Sequence, residues 1–329
     1  MQTRLLEVLA CPKCLGKLSC VASEVDSQGD IRAGTLTCSH CQKSYPINNS
    51  IPRFVEKENY TSSFGLQWNR FKSEQIDSIN GTKLSASRFY KETDWSPEWI
   101  NNKWILDAGS GAGRFLDVVS QNQCEVVGVD MSSAVDAAHS TFAGRRNVHL
   151  VQASIDALPL RSAVFDGCYC IGVIQHTLDP ESCLKALPRV LRPGGRLAVT
   201  IYERKPWTKL NAKYLIRPLT KRMDQEILFQ AIRYLMPIMF AITEVTFRIP
   251  YLGRLFRYMI PVANYVSLPE LSLRRRYDWA LLDTFDMLSP QYDQPQTERV
   301  VTPLLSAEGI EELVRLQNPG LNLVGRKGA

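Results

Sequence analysis

Long uncharged runs of apolar residues are absent from the Leu-, Ile- and Phe-rich segment of this sequence, residues 203–290. The apolar uncharged run from Tyr234 to Thr243 has ten residues that include Pro237, whereas a membrane-spanning helix needs about 20. The first residues also lack the apolar core of a secretory signal, because Glu7 interrupts them and cysteines soon follow. We therefore expect no transmembrane helix and a cytoplasmic location.

Internal repeats and low-complexity tracts are also absent, and the nine cysteines of the chain are an odd number. This disfavours a disulfide scaffold and favours a reducing compartment. The 329 residues, 45% of them hydrophobic, are enough for one large α/β domain and a small one. The net charge of +6 is compatible with an anionic partner without requiring one.

The segment Gly109–Gly113 has glycines at alternate positions but lacks the features of two common nucleotide motifs. Its third glycine comes too early for the G-x-G-x-x-G fingerprint of dinucleotide sites, and no Lys-Ser/Thr pair follows as in a P-loop. Glycines let the backbone approach a ligand closely, and N–H groups at a helix start can hold a polar group. Asp107, before the first glycine, suits a positively charged or hydroxylated ligand, which points to S-adenosylmethionine (SAM). For this segment alone, a chance glycine turn is the alternative.

A second acid follows at the end of the next apolar strand. Asp130 lies about 20 residues beyond the glycines, where nucleoside sites place a carboxylate on the ribose hydroxyls. Further on, Ala163–His176 predicts a turn, a strand and a polar strand end, and Leu191–Thr200 predicts a Pro-Gly-Gly turn and a strand. Strands that alternate with helices in this way predict a parallel sheet.

Together these blocks, between Trp104 and Tyr202, resemble the class I SAM-dependent methyltransferases, a group that includes quinone, sterol and small-molecule methyltransferases. The resemblance implies an α/β fold with a Rossmann-like, mostly parallel sheet and helices on both faces, and it implies SAM as cofactor. It also implies a set of cofactor-binding residues, namely Asp107, Gly109, Gly111, Gly113, Asp130, Met131, Ser154, Ile155 and Ile171.

Within this set, the adenine contact departs from the family pattern. The family places an aspartate where this chain has Ser154, whose hydroxyl can still accept a hydrogen bond. Ile155 and Met131 are expected to pack on the adenine, although Met131 could equally be ordinary core. Asp156 is expected to face solvent, and Ile171 is expected near the transferred methyl group.

Methyl transfer from a sulfonium mainly requires alignment and exclusion of water, so no dedicated acid or base is obligatory. His176 is a candidate general base because the unperturbed pKa of histidine is near neutrality; a structural histidine is the alternative. Asp283, Asp286 and Tyr292 lie in a segment dense in polar and aromatic residues. They are candidates for the substrate wall, or else for a structural junction.

Two C-x-x-C knuckles near the N-terminus predict a zinc ribbon. Four thiolates satisfy tetrahedral Zn²⁺ and leave no coordination position open for water, so the metal is expected to be structural. The predicted ligands are Cys11, Cys14, Cys38 and Cys41. The alternative is two redox-active or merely buried cysteine pairs. Short strands are expected at Leu18–Val21 and Thr35–Thr37, and Cys20 and His40 are expected not to bind the metal.

The segment from Leu5 to Phe54 is similar to a second family, the short zinc-ribbon domain that activates tRNA and release-factor methyltransferases. The resemblance implies a ribbon fused to its own enzyme. A core this small needs the metal to fold.

The order of these motifs divides the chain into five parts. They are a zinc ribbon at 1–56, a helical lead-in over the SAM site at 57–103, the SAM-binding core at 104–202, an inserted helical cap or substrate region at 203–290 and the C-terminal part of the core at 291–329. The aromatic stretch Phe64–Phe71 of the lead-in either packs over the SAM site or simply packs as a helix. In the tail we expect a helix through Leu316 and one strand, Leu321–Arg326.

The cap carries basic residues near helical spacing, namely Lys209, Lys213, Arg217, Lys221 and Arg222. They predict either a solvated helix face or a surface for anionic lipid or a phosphorylated substrate.

We therefore expect a SAM-dependent methyltransferase for a small-molecule or lipid-like acceptor, with peripheral contact between the cap and the inner face of the membrane. One alternative is a tRNA or rRNA methyltransferase that grips its substrate with the ribbon. Nucleic acid is less favoured, because Ile174–Thr177 is not the Asn/Asp-Pro-Pro-Tyr/Phe motif of exocyclic-amine methylases. The other alternative is a catalytically silent SAM-binding scaffold, against which the intact glycine loop and Asp130 weigh.

Overall fold

The structure, a computed structural model, describes residues 1–55, 65 and 74–329. These residues form a four-stranded sheet near the N-terminus and a seven-stranded sheet with helices between its strands. Of the aromatic stretch Phe64–Phe71, only Gly65 lies within the described residues, so its expected packing over the SAM site stays a prediction.

The N-terminal sheet is antiparallel, with strands in chain order. They are β1 (Leu18–Val25), β2 (Ile31–Cys38), β3 (Ser44–Asn48) and β4 (Ile51–Pro52). A carboxylate oxygen of Asp26 accepts the N–H groups of Gln28 and Asp30, at 2.8 and 2.9 Å, and closes the turn between β1 and β2. The two strands predicted here are therefore present and longer than expected.

The main sheet is the mostly parallel, Rossmann-like sheet that the sequence predicts. Its strands are β5 (Trp104–Ala108), β6 (Glu125–Asp130), β7 (Val148–Gln152), β8 (Phe165–Ile171), β9 (Leu191–Ile201), β10 (Ile310–Arg315) and β11 (Leu321–Lys327). They lie in the order β10-β11-β9-β8-β5-β6-β7, with β5 to β9 parallel and β11 antiparallel to both of its neighbours. The central strands are runs of buried apolar residues, as expected of a sheet covered on both faces.

Helices precede and connect the strands of the main sheet, and further helices, including the two longest described, form the cap. They are α1 (Asp77–Asn80), α2 (Leu84–Thr93), α3 (Pro97–Ile100), α4 (Arg114–Val119), α5 (Ala134–Phe142), α6 (Pro180–Arg189), α7 (Ala212–Thr220), α8 (Gln225–Thr246), α9 (Leu252–Met259), α10 (Leu273–Leu288) and α11 (Glu298–Ala307). The start of α6 shows how the sequence specifies such an element. Asp179 caps the N–H groups of the first turn, and Pro180 needs no partner there.

The C-terminal tail contradicts the expected helix through Leu316. Helix α11 ends at Ala307, because Gly309 adopts a positive φ of 76° and turns the chain into β10. A register shift between Glu311 and Val314 interrupts the alternation of inward and outward side chains along β10. The apolar residues of β10 therefore fall at helical spacing in the sequence. The sheet therefore ends in a strand pair, β10 and β11, where the sequence analysis found one strand.

The ribbon packs on the main sheet beside β7. The N–H group of Phe54 donates to the carbonyl of Gln152 at 2.8 Å, and the N–H group of Ala10 donates to the carbonyl of Pro159 at 2.9 Å. One hydrophobic cluster continues across the junction, including Leu5, Leu9, Leu36 and Ile47 of the ribbon, Val151 of β7, and Leu158 and Leu160 of the loop after it. The ribbon and the main sheet therefore share one hydrophobic core.

The cap contains one long apolar helix, α8, that the length of the uncharged runs did not predict. Among the described residues, α8 is the one helix long and apolar enough to cross a membrane by length and composition. Its most apolar 18 residues have a mean hydropathy of 1.3, and 33% of this stretch is buried. Arg233 and Glu244 interrupt the uncharged run without ending the helix. Such a helix is by itself weak support for a membrane span, because core helices share its composition.

The basic face predicted for α7 does not point to solvent. The Lys213 ammonium lies 2.7 Å from an Asp293 carboxylate oxygen, and Arg217 is buried and donates to the carbonyls of Met287 and Pro290. Both readings of this face, as solvated or as lipid-binding, are therefore wrong for these two residues. The side chains of Leu215 and Leu219 are exposed to solvent instead.

Leu9 offers a test of the junction between ribbon and sheet. Its side chain is fully buried, so Leu9→Ala should lower the free energy of unfolding by about 2–5 kcal/mol in a urea titration. The exposed Leu178 is the matched control, and Leu178→Ala should change it by less than about 0.5 kcal/mol. An equal decrease in the free energy of unfolding for the two substitutions would contradict a hydrophobic core shared by the ribbon and the main sheet.

Candidate active site

The glycine segment forms a tight turn between β5 and α4. Gly109, Gly111 and Gly113 have positive φ values of 89°, 53° and 94°, which side chains rarely tolerate. A Cβ atom at Gly109 would overlap Val173, and one at Gly113 would overlap the ring of Phe142. Packing of the turn therefore requires glycine at these two positions, independently of any ligand.

Asp130 ends β6 beside this turn and holds it in place. Its Oδ2 atom accepts the N–H group of Gly111 at 2.8 Å, and its Oδ1 atom accepts the N–H and hydroxyl groups of Ser132 at 2.8 and 2.6 Å. Burial raises the pKa of Asp130, and these donors act in the opposite direction. Because a carboxylate oxygen can accept more than one hydrogen bond, Oδ2 keeps capacity for a ligand hydroxyl.

Asp107, in β5, has a carboxyl group that the described residues do not satisfy. Burial raises its pKa to about 8, the neighbouring Tyr169 hydroxyl opposes this shift and the charge of Asp130 adds to it. Among the described residues, no group forms a hydrogen bond with its buried Oδ2 atom or with the buried hydroxyl of Ser110. Buried polar atoms without partners are rare, so these two atoms mark a place for a polar ligand.

The loop after β7 brings the third predicted segment to the same edge of the sheet. The N–H group of Ala153 donates to the carbonyl of Asp130 at 3.1 Å, which ties the loop to the end of β6. Ser154 and Met131 are half-buried and Ile155 is buried. The predicted cofactor residues of β5, β6 and the loop after β7 are therefore neighbours at the carboxyl end of the parallel strands, where α/β sheets bind ligands.

Beyond β8, whose last residue Ile171 is buried, His176 lies in a short 3-10 helix. Its Nδ1 atom is 3.0 Å from the carbonyl oxygen of Tyr292, so this nitrogen carries the proton and donates. Burial lowers the pKa of His176 to about 4, although the bond to Tyr292 favours the protonated form. The imidazole is therefore neutral at pH 7 and a weak base, whereas general bases work best with a pKa near the operating pH.

A second set of polar residues joins the glycine loop to the cap. Asp283 of α10 accepts a hydrogen bond from the hydroxyl of Tyr265 and one of 3.4 Å from Gln75 Nε2. Gln75 Oε1 in turn accepts from Arg114 at 2.8 Å. Burial raises the pKa of Asp283, and Tyr265 and Arg114 lower it. The sequence analysis did not identify Gln75, Arg114 or Tyr265 as site residues. Of the three, only Arg114 lies next to a recognisable motif, because it directly follows the last glycine.

Asp286 lies near two further side chains beside this set, Tyr202 and Arg88. Tyr202 is 38% exposed, yet burial raises its pKa, with the charge of Asp286 as the next cause. The Arg88 side chain is also 38% exposed, although burial opposes its charge and Glu92, 2.8 Å away, offsets that cost. Tyr292, the third predicted substrate residue, meets His176 through its carbonyl oxygen.

The four predicted metal-ligating cysteines converge. The Sγ atoms of Cys11, Cys14, Cys38 and Cys41 all lie within 4.8 Å of one another. The Cys11–Cys41 and Cys14–Cys38 pairs are 3.6 and 3.5 Å apart, close to the roughly 3.8 Å between thiolates around tetrahedral Zn²⁺ with Zn–S bonds near 2.3 Å. Within the described part of the chain, Cys20 and His40 stay outside this cluster, as expected.

Two segments of the chain match known protein families. Residues 106–199 match the family described as methyltransferase domain, and residues 2–50 match the family described as Trm112p-like protein. The ubiquinone biosynthesis O-methyltransferase of Alkalilimnicola ehrlichii is 29% identical over 129 residues, which are 37% of this chain and 52% of that protein. The malonyl-[acyl-carrier protein] O-methyltransferase of Enterobacter lignolyticus is 32% identical over 154 residues, 44% of this chain and 54% of that protein.

The chain thus spans about half the length of the curated relatives it matches. Among solved structures, the complex between the Haloferax volcanii Trm112 methyltransferase activator and the putative methyltransferase is similar over 81% of this chain and 98% of that one, with a TM-score of 0.45 and 10% identity.

The low pKa of His176 predicts a pH-dependent contribution to stability. Unfolded His176 binds its proton near pH 6.5 and folded His176 near pH 4, so falling pH favours unfolding in that window. As the pH falls from 6.5 to 4, the free energy of unfolding of the wild-type protein should decrease relative to that of His176→Asn, whose side chain does not titrate. Urea titrations at several pH values measure this difference. Parallel pH profiles for the two proteins would contradict a buried neutral imidazole.

Proposed function

We propose that this chain, whose residues 106–199 are a methyltransferase domain and whose residues 2–50 are a Trm112p-like domain, transfers a methyl group from SAM to a small-molecule or lipid-like acceptor. The observation that carries the proposal is the polar edge of the main sheet, where the glycine turn, Asp130 and the unsatisfied carboxyl group of Asp107 meet. This edge fits a ligand that combines ribose hydroxyls with positive charge.

The residues that would hold SAM are those of this edge. The glycine turn would line the methionine end, and Asp130 would accept from the ribose hydroxyls. Met131, Ser154 and Ile155 would contact the adenine, and Ile171 would lie near the methyl group. SAM would supply an electrophilic methyl group on a sulfonium. Because a nearby positive charge favours the ionised form of a carboxyl group, Asp107 would release its proton when a cationic ligand binds.

The residues of this chain would act mainly by positioning. Direct displacement from a sulfonium needs an acceptor aligned with the methyl carbon and water kept out. A neutral, buried His176 is poorly suited to abstract a proton, so we assign it a positioning role in which it holds Tyr292 beside the 3-10 helix. No dedicated general base is required if the acceptor atom is nucleophilic by itself.

The acceptor would bind between the glycine turn and the cap. Asp283 and Asp286 of α10 are within electrostatic reach of Tyr202, and Arg88 reaches the same space. Gly172, next to Ile171, is so close to Arg88 that a Cβ atom there would stand 3.8 Å from its Nη2 atom. This proximity supports an acceptor site next to the strand end that would face the methyl group.

The ribbon would hold Zn²⁺ through its four thiolates and act structurally. Its backbone hydrogen bonds to the rest of the described chain are made with the loop after β7 and with the sheet edge, which supports a role in shaping the cofactor pocket. The RNA methyltransferase alternative rests on the ribbon alone, and this docking of the ribbon on its own sheet weighs against it. The silent-scaffold alternative conflicts with the intact glycine turn and Asp130.

Asp130→Asn tests the cofactor assignment. The amide keeps the shape of the carboxylate but loses its charge and one acceptor, so SAM affinity in calorimetry should fall at least about tenfold, or about 1.4 kcal/mol. Asp156→Asn, at an exposed position of the same region, should leave the affinity unchanged. Absence of any heat with SAM for the wild-type protein would refute the proposal.

Cys38→Ser tests the metal assignment. The variant should lose the zinc that we expect at about one ion per wild-type chain by elemental analysis, because three thiolates hold zinc less well than four. SAM affinity should fall with it, since the ribbon supports the loop after β7. Cys20→Ser is the control and should keep both properties. A wild-type protein that is stable and free of metal would contradict this assignment.

A further inference from the structure

The three cap helices α7, α8 and α9 expose apolar side chains on their outer faces. Helix α7 is inverted relative to an ordinary surface helix, because its polar residues point inward and bind Asp293 and backbone carbonyls. Leu215 and Leu219 remain 76% and 68% exposed. A helix normally turns its apolar stripe to the core, so this arrangement indicates a surface that is covered by something other than water.

Helix α8 has apolar residues on two opposite faces. The inner face, which includes Phe229, packs against Phe285 and its neighbours on α10. The outer face repeats at helical spacing and is exposed, namely Ile227, Tyr234, Leu235, Ile238, Ile242 and Val245. Because the inner face is part of the cap core, α8 cannot be surrounded by lipid and is better suited to lie on a membrane than to span it.

Helix α9 continues the pattern and adds cations. Leu252, Leu255 and Met259 share one helix face and are at least half exposed, and Arg254 and Arg257 lie exposed on the opposite side. A short helix with an exposed apolar stripe and a basic stripe is typical of segments that lie in the interface of a membrane.

The charge of the cap identifies the kind of partner. Residues 203–293, which include the Asp293 that Lys213 and Arg217 contact, contain 14 Lys and Arg against 9 Asp and Glu, a net charge of +5 out of +6 for the whole chain. The remaining residues are therefore nearly neutral in sum. A second copy of the chain would bring the same positive charge to this surface, whereas an anionic membrane is complementary to it.

We propose that the outer faces of α7, α8 and α9 form a docking surface for an anionic lipid membrane, on which the protein binds peripherally. Apolar side chains would enter the boundary between headgroups and acyl chains, and the surrounding cations would contact lipid phosphates. The proposal does not depend on methyl transfer, because membrane binding can be measured without SAM or an acceptor.

Sedimentation of the full-length protein with vesicles tests this surface. The protein should bind vesicles of phosphatidylglycerol and phosphatidylcholine at least about tenfold more tightly than vesicles of phosphatidylcholine alone, since each cation near an anionic surface adds to the affinity. The double substitution Ile238→Gln with Ile242→Gln should weaken binding to the mixed vesicles at least about tenfold, because two apolar side chains no longer enter the membrane.

Val21→Gln with Val25→Gln is the matched control, because these valines are equally exposed but lie on the ribbon. This pair should leave vesicle binding unchanged, and thermal unfolding should show that both double variants fold. Failure of the wild-type protein to sediment with either vesicle would overturn the proposal. So would a stable dimer that the cap substitutions convert to a monomer, which would make the surface an interface between copies. Neither result would bear on SAM binding, so the methyltransferase proposal is tested separately.

Discussion

The loop that follows β7 is held at both ends by backbone hydrogen bonds from the ribbon. Phe54 donates to Gln152 at its start, and Ala10 donates to Pro159 at its end. β7 is the outermost strand of the main sheet, and an edge strand by itself leaves backbone groups unpaired. Because Ile155 lies between the two anchors, the same contacts that close the edge also hold the loop that we propose contacts the adenine.

Features that a local pattern specifies could be predicted from the sequence. The paired C-x-x-C knuckles converge, the glycine turn follows β5, and Asp130 ends β6. The contact between Gln75 and Asp283 could not be predicted, because 208 residues separate the two and only the folded chain brings them together. The strand β10 was missed because its register shift mimics helical spacing.

Lys213 and Arg217 show a different limit of sequence patterns. Helical spacing identifies residues that share a face, but it does not say which face is inside. In α7 the basic face is inside, because Lys213 lies 2.7 Å from the carboxylate of Asp293 and Arg217 donates to the carbonyls of Met287 and Pro290. Leu215 and Leu219 lie on the opposite face and are exposed, so these buried polar contacts fix the apolar character of this part of the surface.

The position of the ribbon in the chain has a consequence for biosynthesis. Residues 1–55 leave the ribosome before β7, at Val148–Gln152, has been translated, and domains generally fold in that order. With an ion bound as we propose, the ribbon would offer a preformed template to the emerging edge strand. Without the ion, this sheet edge would stay unpaired and open to pairing with other chains. On this proposal, metal supply during translation would affect how much of the protein folds.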